Sequence, residues 1–218
     1  MAGPIPENNE YVAQRAALLK NGGVGSMLNV VGAEATYEAP KLAVENSRLG
    51  IPLLFGFDVI HGFKTIFPIP LGEAASWDLD SIEQSARVAA IEASAAGVNW
   101  TFAPMVDVGR DPRWGRVMEG AEEDPYLGTQ IGLARMQGFQ TDDLSGNSSI
   151  LATAKHLAGY AFSEAGRDYN TVDVGTQTLH NVILPPFKAL AEAGVATVKN
   201  SFNDLNGIPA NGDYLIMI

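Results

Sequence analysis

Five short apolar runs, each bounded by turn residues and separated by stretches of helical periodicity, constrain this chain more than any other feature. The runs are Val24 to Val31, Pro52 to Val59, Trp100 to Val108, Leu151 to Leu157 and Val195 to Phe202. Apolar runs of that length between turn residues read as buried parallel strands. The clearest amphipathic stretch between them is Asp80 to Ala96. Asp80 with Glu83 predicts an N-cap and its capping-box partner, Gly97 the C-terminal stop, and Ile82, Ala86, Ala90 and Ala93 a stripe at helical spacing. Tyr37 to Glu45 is a second expected helix. A third is Thr176 to Ile183, broken at Pro185-Pro186 and resumed to Ala193, with Gly194 as its stop. Strand and helix in alternation predict an α/β fold with a parallel sheet and right-handed crossovers. Two architectures satisfy that pattern, an open doubly wound sheet and a closed (β/α)₈ barrel.

Polar residues gather just after the strand ends: Asp58 and His61, Arg110 to Arg116, Lys155-His156, and Asn200 to Asn206. In a barrel these ends meet on one rim, where active sites sit. No Gly-x-Gly-x-x-Gly follows a strand, and no Gly-x-x-x-x-Gly-Lys-Ser/Thr is present, which disfavours a nucleotide-binding sheet.

The run Arg110-Asp111-Pro112-Arg113-Trp114-Gly115-Arg116 places three guanidinium groups, a carboxylate and an indole within seven residues. Arginine supplies a rigid fork of donors and tryptophan a flat apolar face, a pairing suited to a neutral polyhydroxylated ligand such as a sugar. The plain alternative is a salt-bridged corner between strand and loop. Asp58, between Gly56 and Gly62 at a strand tip, can approach a ligand closely and accept two hydroxyl hydrogen bonds, or else cap a turn. His61 either joins it or braces the loop. Lys155 and His156 read as adjacent donors. Neighbouring strand residues point to opposite faces, so both reach one ligand only if the backbone there is irregular. The acidic stretch Glu119 to Asp124 is suited to binding Arg113 or Arg116 rather than substrate, and Arg167 to Thr171 reads as a lid or rim loop.

Composition removes whole classes of partner. Among 218 residues, 25 acidic side chains against 14 basic ones leave a formal charge of −11. That argues against nucleic acid or an anionic membrane surface. The chain has no cysteine, hence neither disulfide nor thiolate chemistry. No stretch approaches the length of a transmembrane helix, and the residues from Met1 show no signal-peptide pattern. No histidine pair at helical spacing points to a metal, so neither metal nor other cofactor is expected.

Taken together the motifs resemble those of glycoside hydrolase family 3, in particular its bacterial β-glucosidase and β-xylosidase branch. The pieces are Gly56 to Gly62, Thr65 to Pro68, Phe102 to Asp107, Arg110 to Arg116, Glu123 to Leu127, Ala154-Lys155-His156 and Tyr169 to Asp173, in the family's order and spacing. The resemblance implies that residues 1–218 form the family's N-terminal (β/α)₈-type barrel domain, incomplete, with about six of its eight units. It implies that Asp58 accepts hydrogen bonds from the outer hydroxyls of a terminal sugar, and that Arg116, Lys155 and His156 hold the same sugar, with the Lys-His pair on an irregular peptide. Phe202 falls where many members carry tyrosine beside the sugar.

The resemblance further implies hydrolysis of terminal non-reducing β-D-glucosyl or xylosyl residues with retained configuration, from a β-glucoside or oligosaccharide substrate. The family's nucleophile is an aspartate in a Ser-Asp-Trp or Ser-Asp-His motif, on the strand after the loop that matches Asn203 to Gly207. No such motif stands between that loop and Ile218, and the family's acid/base comes from a second domain. Both catalytic carboxylates are therefore expected beyond Ile218. The expected division of labour is a glycone-binding fragment, inactive alone, whose barrel and second domain continue elsewhere; the alternative is a non-catalytic sugar-binding remnant. A third reading is an unrelated phosphate-handling barrel enzyme. An open barrel is expected to leave unpaired strand edges and to associate or precipitate. Relatives are often periplasmic or secreted. Leu157, Glu122 and Lys199 depart from the family pattern at positions usually aromatic, glycine and methionine, and the last brings a charge toward the barrel interior. The run after Lys155 also departs from the hexosaminidase branch, which disfavours an N-acetylhexosaminide.

Overall fold

A computed structural model describes the backbone of residues 10–121 and 123–212. Glu122 and Ile218 lie outside the described residues. Strands β1 (Ser26–Leu28), β2 (Leu54–Phe57) and β3 (Trp100–Thr101) pair in parallel, with Met27 beside Phe55 and Gly56 beside Trp100. Strands β4 (Thr153–Leu157) and β5 (Thr197–Asn200) form a second parallel pair that sets Lys155 opposite Lys199. Parallel bridges from Trp100 to Leu151 and from Met105 to Lys155 join the three-stranded sheet to this pair. The five expected runs thus lie side by side in chain order. A doubly wound sheet would reverse its strand order partway across, and this one does not. The array remains open among the described residues and holds five parallel strands, against the about six units that the family resemblance implies.

The helices cover one side of this array. Beside helices α1 (Glu10–Lys20), α2 (Ala33–Asn46) and α3 (Pro70–Ala74), the long helix α4 (Leu79–Ala95) buries Ile82, Ala86, Ala90 and Ala93 as its spacing predicts. Its cap differs from expectation. Asp78, not Asp80, is the N-cap, and its carboxylate accepts from the Ser81 amide at 3.0 Å and the Ser81 hydroxyl at 2.6 Å. Either aspartate is followed three residues on by a polar side chain, so spacing alone does not choose between them. Helix α5 (Pro125–Gln140) has no counterpart among the expected helices, because glycines at 128, 132 and 138 depress its helical propensity. The tertiary contacts repay that cost. A Cβ at Gly138 would lie 2.3 Å from the Glu83 carbonyl oxygen and 2.7 Å from the Ala86 Cβ, so the glycine lets α5 close onto α4.

Helix α6 (Thr176–Thr178) leads into a π-helical turn, Leu179–Ile183, and then α7 (Leu184–Glu192), without the break expected at Pro185-Pro186. The prolines fall in the first turn of α7, where their missing N–H groups leave no ladder bond unmade, and the wider turn precedes them. A short antiparallel pair, β6 (Asp204–Leu205) and β7 (Ile208–Pro209), follows β5.

The main core lies between array and helices, where Ala89 and Ala93 of α4, Met136 and Phe139 of α5 and Leu190 of α7 meet Val98, Val106, Ile150 and Ala152. Buried Gln140 ties the strand starts together: its carbonyl accepts from the Ala152 amide at 3.2 Å and the Ala196 amide at 2.8 Å, and its amide group donates to the Gly194 carbonyl at 3.1 Å. The strand ends are thereby set at a common level.

The α4–α5 seam yields a direct test. Gly138→Ala is expected to destabilise the fold by about 1–3 kcal/mol through overpacking, lowering the melting temperature by roughly 2–12 °C for a chain this size, as thermal denaturation would read.

Candidate functional site

Asp58 stands one residue beyond the end of β2, and its side chain is 60% exposed. The Lys155 ammonium, from the middle of β4 and 2% exposed, lies 3.3 Å from its Oδ1 and 3.4 Å from Glu119 Oε2. Glu119, in the loop after β3, receives the Arg116 guanidinium in a two-pronged pair, Nε to Oε1 at 2.7 Å and Nη2 to Oε2 at 2.9 Å. Burial would raise the Glu119 carboxyl, but the charges of Arg116 and Lys155 outweigh it and hold the group below its usual range. Burial likewise opposes the Arg116 charge, and the Glu119 pair more than restores it. Three segments far apart in sequence thus meet through one lysine and one glutamate.

His156 is fully buried beside them. Cis peptide bonds join Lys155 to His156 and Leu157 to Ala158, and the pairing with β5 shifts register between Lys155 and Leu157. The irregular backbone that the two side chains need is present. Asp107 Oδ2 accepts the His156 backbone N–H and ring Nδ1–H, both at 2.9 Å. That hydrogen bond assigns the proton to Nδ1 and leaves Nε2, which has no partner, as an acceptor. The expectation of His156 as a second donor is corrected accordingly. Its ring centroid lies 5.1 Å from Tyr160 and 5.2 Å from Phe202. Phe202, 45% exposed, closes an aromatic wall with Tyr169 at 5.4 Å, and Arg116 stands 5.9 Å from the Phe202 ring centre.

The Arg110 to Arg116 run divides in two. Only Arg116 enters the cluster. Arg113 is exposed and pairs with Asp111 at 2.6 Å, while Arg110 stacks on Phe162 at 5.3 Å, so most of the run is the salt-bridged corner. Trp114 offers no flat face to a ligand. It is 1% exposed, edge-on to Tyr160, and donates its indole N–H to Asp168 at 2.9 Å, tying the Arg167 to Thr171 loop to this corner. His61 braces its own loop through Nδ1 and the Phe67 carbonyl at 3.1 Å. Sequence reasoning assigns no role to Asp107, although its motif is in view. Nothing local marks it as the partner of a histidine 49 residues away.

The buried imidazole makes stability pH-dependent. Burial is the largest influence on His156 and lowers its pKa; Asp107 pulls upward, and Arg116 and Lys155 add to the lowering. The fold therefore binds fewer protons here than the unfolded chain. This contribution is present above the unfolded value of about 6.5 and is lost as pH falls from there toward the folded value. The loss of stability between about pH 7.5 and 5.5 is expected to shrink in His156→Asn, with denaturant melts of both chains at the two pH values as the measurement.

The description "Glycosyl hydrolase family 3 N terminal domain" matches residues 7–218. The chain is 43% identical over 200 residues to a periplasmic β-glucosidase of Salmonella typhimurium, covering 92% of this chain and 26% of that protein. It is 35% identical over 192 residues to a β-xylosidase of Formosa agariphila, covering 82% of this chain and 26% of that one. Among solved structures, a β-glucosidase from Listeria innocua in complex with glucose superposes with a TM-score of 0.81 at 43% identity, over 85% of this chain and 26% of that one. A mutant of a Listeria innocua β-glucosidase in complex with laminaribiose gives 0.87 at 39%, over 96% and 30%. The chain thus spans about a quarter of the length of the curated relatives it matches, 26% in both cases. Its match to the N-terminal domain across nearly every residue, with the strand-end cluster on an α/β frame like theirs, places it in glycosyl hydrolase family 3.

Proposed function

We propose that this chain supplies the glycone-binding face of a retaining β-glycosidase that removes terminal β-D-glucosyl, or xylosyl, residues. The observation carrying the reading is the joining of Asp58 beyond β2, Arg116 and Glu119 from the loop after β3, and Lys155 of β4. Such a cluster offers a neutral sugar what its hydroxyls need. Asp58 and His156 Nε2 accept, Lys155 and Arg116 donate, and Phe202 provides an apolar edge against a sugar face. In this reading Asp58 takes two hydroxyl protons in hydrogen bonds and is not itself the nucleophile. The glucose-bound structural relative and the β-glucosidase and β-xylosidase relatives support the substrate class.

The chemistry follows from retention. A carboxylate attacks the anomeric carbon while an acid protonates the departing oxygen, and water then releases the sugar from the glycosyl-enzyme. We take both catalytic carboxylates from beyond Ile218, and we take the five parallel strands as part of an incomplete (β/α)₈ barrel that further strands complete. The role of the residues here is to bind and orient the sugar, and tight positioning of one ring is worth several orders of magnitude in rate.

Titration of the purified chain with glucose and xylose, by calorimetry or NMR, tests this. Saturable binding is expected, with Asp58→Asn weakening it about 10- to 150-fold, the loss of a charge-assisted hydrogen bond of about 1.5–3 kcal/mol. The isolated chain is expected to leave an aryl β-glucoside intact. Turnover by the chain alone, abolished by Asp58→Asn, would overturn the assignment of Asp58 to binding.

A further inference from the structure

Asp58 is the most exposed charged member of the proposed sugar cluster, and Lys155, at 3.3 Å, is its one ion-pair partner among the described residues. A carboxylate so lightly held by its own side chain takes its position from its backbone. That backbone is pinned on both sides. The Phe57 carbonyl accepts from the Phe102 amide at 3.3 Å, and the Val59 amide donates to Thr101 Oγ1 at 3.3 Å. Two residues beyond Asp58, the Ile60 carbonyl accepts from Nη2 of Arg135. Arg135 belongs to α5 and is 3% exposed. Its Nη1 donates to Oε2 of Glu73, on α3, at 2.6 Å, and both side chains are buried. A guanidinium that serves only to pair with a carboxylate presents two nitrogens to it, as Arg116 does to Glu119. Arg135 gives Glu73 one nitrogen, turns another to the Ile60 carbonyl, and leaves Nε without a partner. The fork is split between α3 and the turn that carries Asp58.

We propose that Arg135, held in place by Glu73, is a positioning residue that sets Asp58 against the sugar from behind the site. The inference rests on the sugar-binding reading and adds to it a residue that acts only through Asp58. Without the guanidinium the Ile60 carbonyl loses its donor. A backbone carbonyl left unpaired away from water is costly, so the turn shifts to hydrate it and carries Asp58 along. Arg116, Lys155 and Phe202 stand on other segments and keep their places.

The test uses the purified chain, titrated with glucose by NMR or calorimetry. Removing Arg135 alone strands Glu73 as a buried unpaired charge and destabilises the fold whatever the arginine does for the sugar. The variant is therefore Arg135→Met together with Glu73→Leu. An apolar pair in the same space is expected to melt close to the parent, since such replacements of buried ion pairs are often neutral or stabilising. Glucose is expected to bind this double variant about 3- to 10-fold more weakly, through the loss of a preorganised contact. In that background Asp58→Asn is expected to cost less than in the parent, by the same factor, because Asp58 is already displaced. Phe202→Ala is expected to cost the same in both backgrounds, which general loosening of the fold would not allow. Should the double variant not fold, Arg135→Lys supplies the comparison, because an ammonium keeps a charge beside Glu73 but lacks the fork that reaches both partners. Glucose bound as tightly by the variant as by the parent overturns the positioning role and leaves the sugar site standing. So does an Asp58→Asn effect of undiminished size, or a Phe202→Ala effect that shrinks alongside it. No saturable binding of glucose by the parent chain sinks this inference together with the reading beneath it.

Discussion

A single buried ammonium holds the strand ends together. Lys155 is 2% exposed, and its charge reaches Asp58 beyond β2 and Glu119 in the loop after β3. Taking an unpaired ammonium out of water costs several kcal/mol, so the two carboxylates and the lysine require one another. Glu119 in turn fixes the Arg116 guanidinium through two hydrogen bonds of 2.7 and 2.9 Å. Remove the lysine and Asp58 loses its ion pair, while Glu119 keeps Arg116 alone. The geometry of the cluster is therefore a consequence of charge pairing carried across the array, not of any one loop.

A second layer keeps the first in register. Gln140 clamps the starts of β4 and β5 at the opposite end of the strands. Trp100 donates its indole N–H to Thr153 and Thr197, each at 3.0 Å, stitching β3 to β4 and β5. Asp107 locks the imidazole of His156 in one tautomer, so that its free nitrogen accepts rather than donates. Buried polar contacts of this kind carry little net energy each, yet leaving any one unmade would be costly. The candidate site owes its fixed shape to them.

Much of this is readable from residue order, and the failures have identifiable causes. The five apolar runs are the five parallel strands, and the stripe from Ile82 to Ala93 is the buried face of α4. Helix α5 escapes notice because its glycines weaken the helical signal while serving close packing against Ala86 and Val106. Trp114 reads as a ligand platform because an indole beside arginines suits a sugar, whereas the fold buries it under Tyr160 and leaves Phe202 on the open side. Glu119 is the arginine partner that its acidic stretch suggests, but its contact with Lys155 joins groups 36 residues apart and leaves no local trace.

The chain's own order of residues determined the alternation of strand and helix, the parallel sheet, and the placing of polar groups after strand ends. Periodicity and turn chemistry act over a few neighbours, and such information is written locally. The tertiary structure alone decided which arginine of the run faces the cluster, which aromatic ring stays exposed, and that Lys155 and Lys199 stand opposite each other. Those outcomes depend on register and burial across the array. They are settled by the summed cost of desolvating charges and filling space, which no short window of sequence contains.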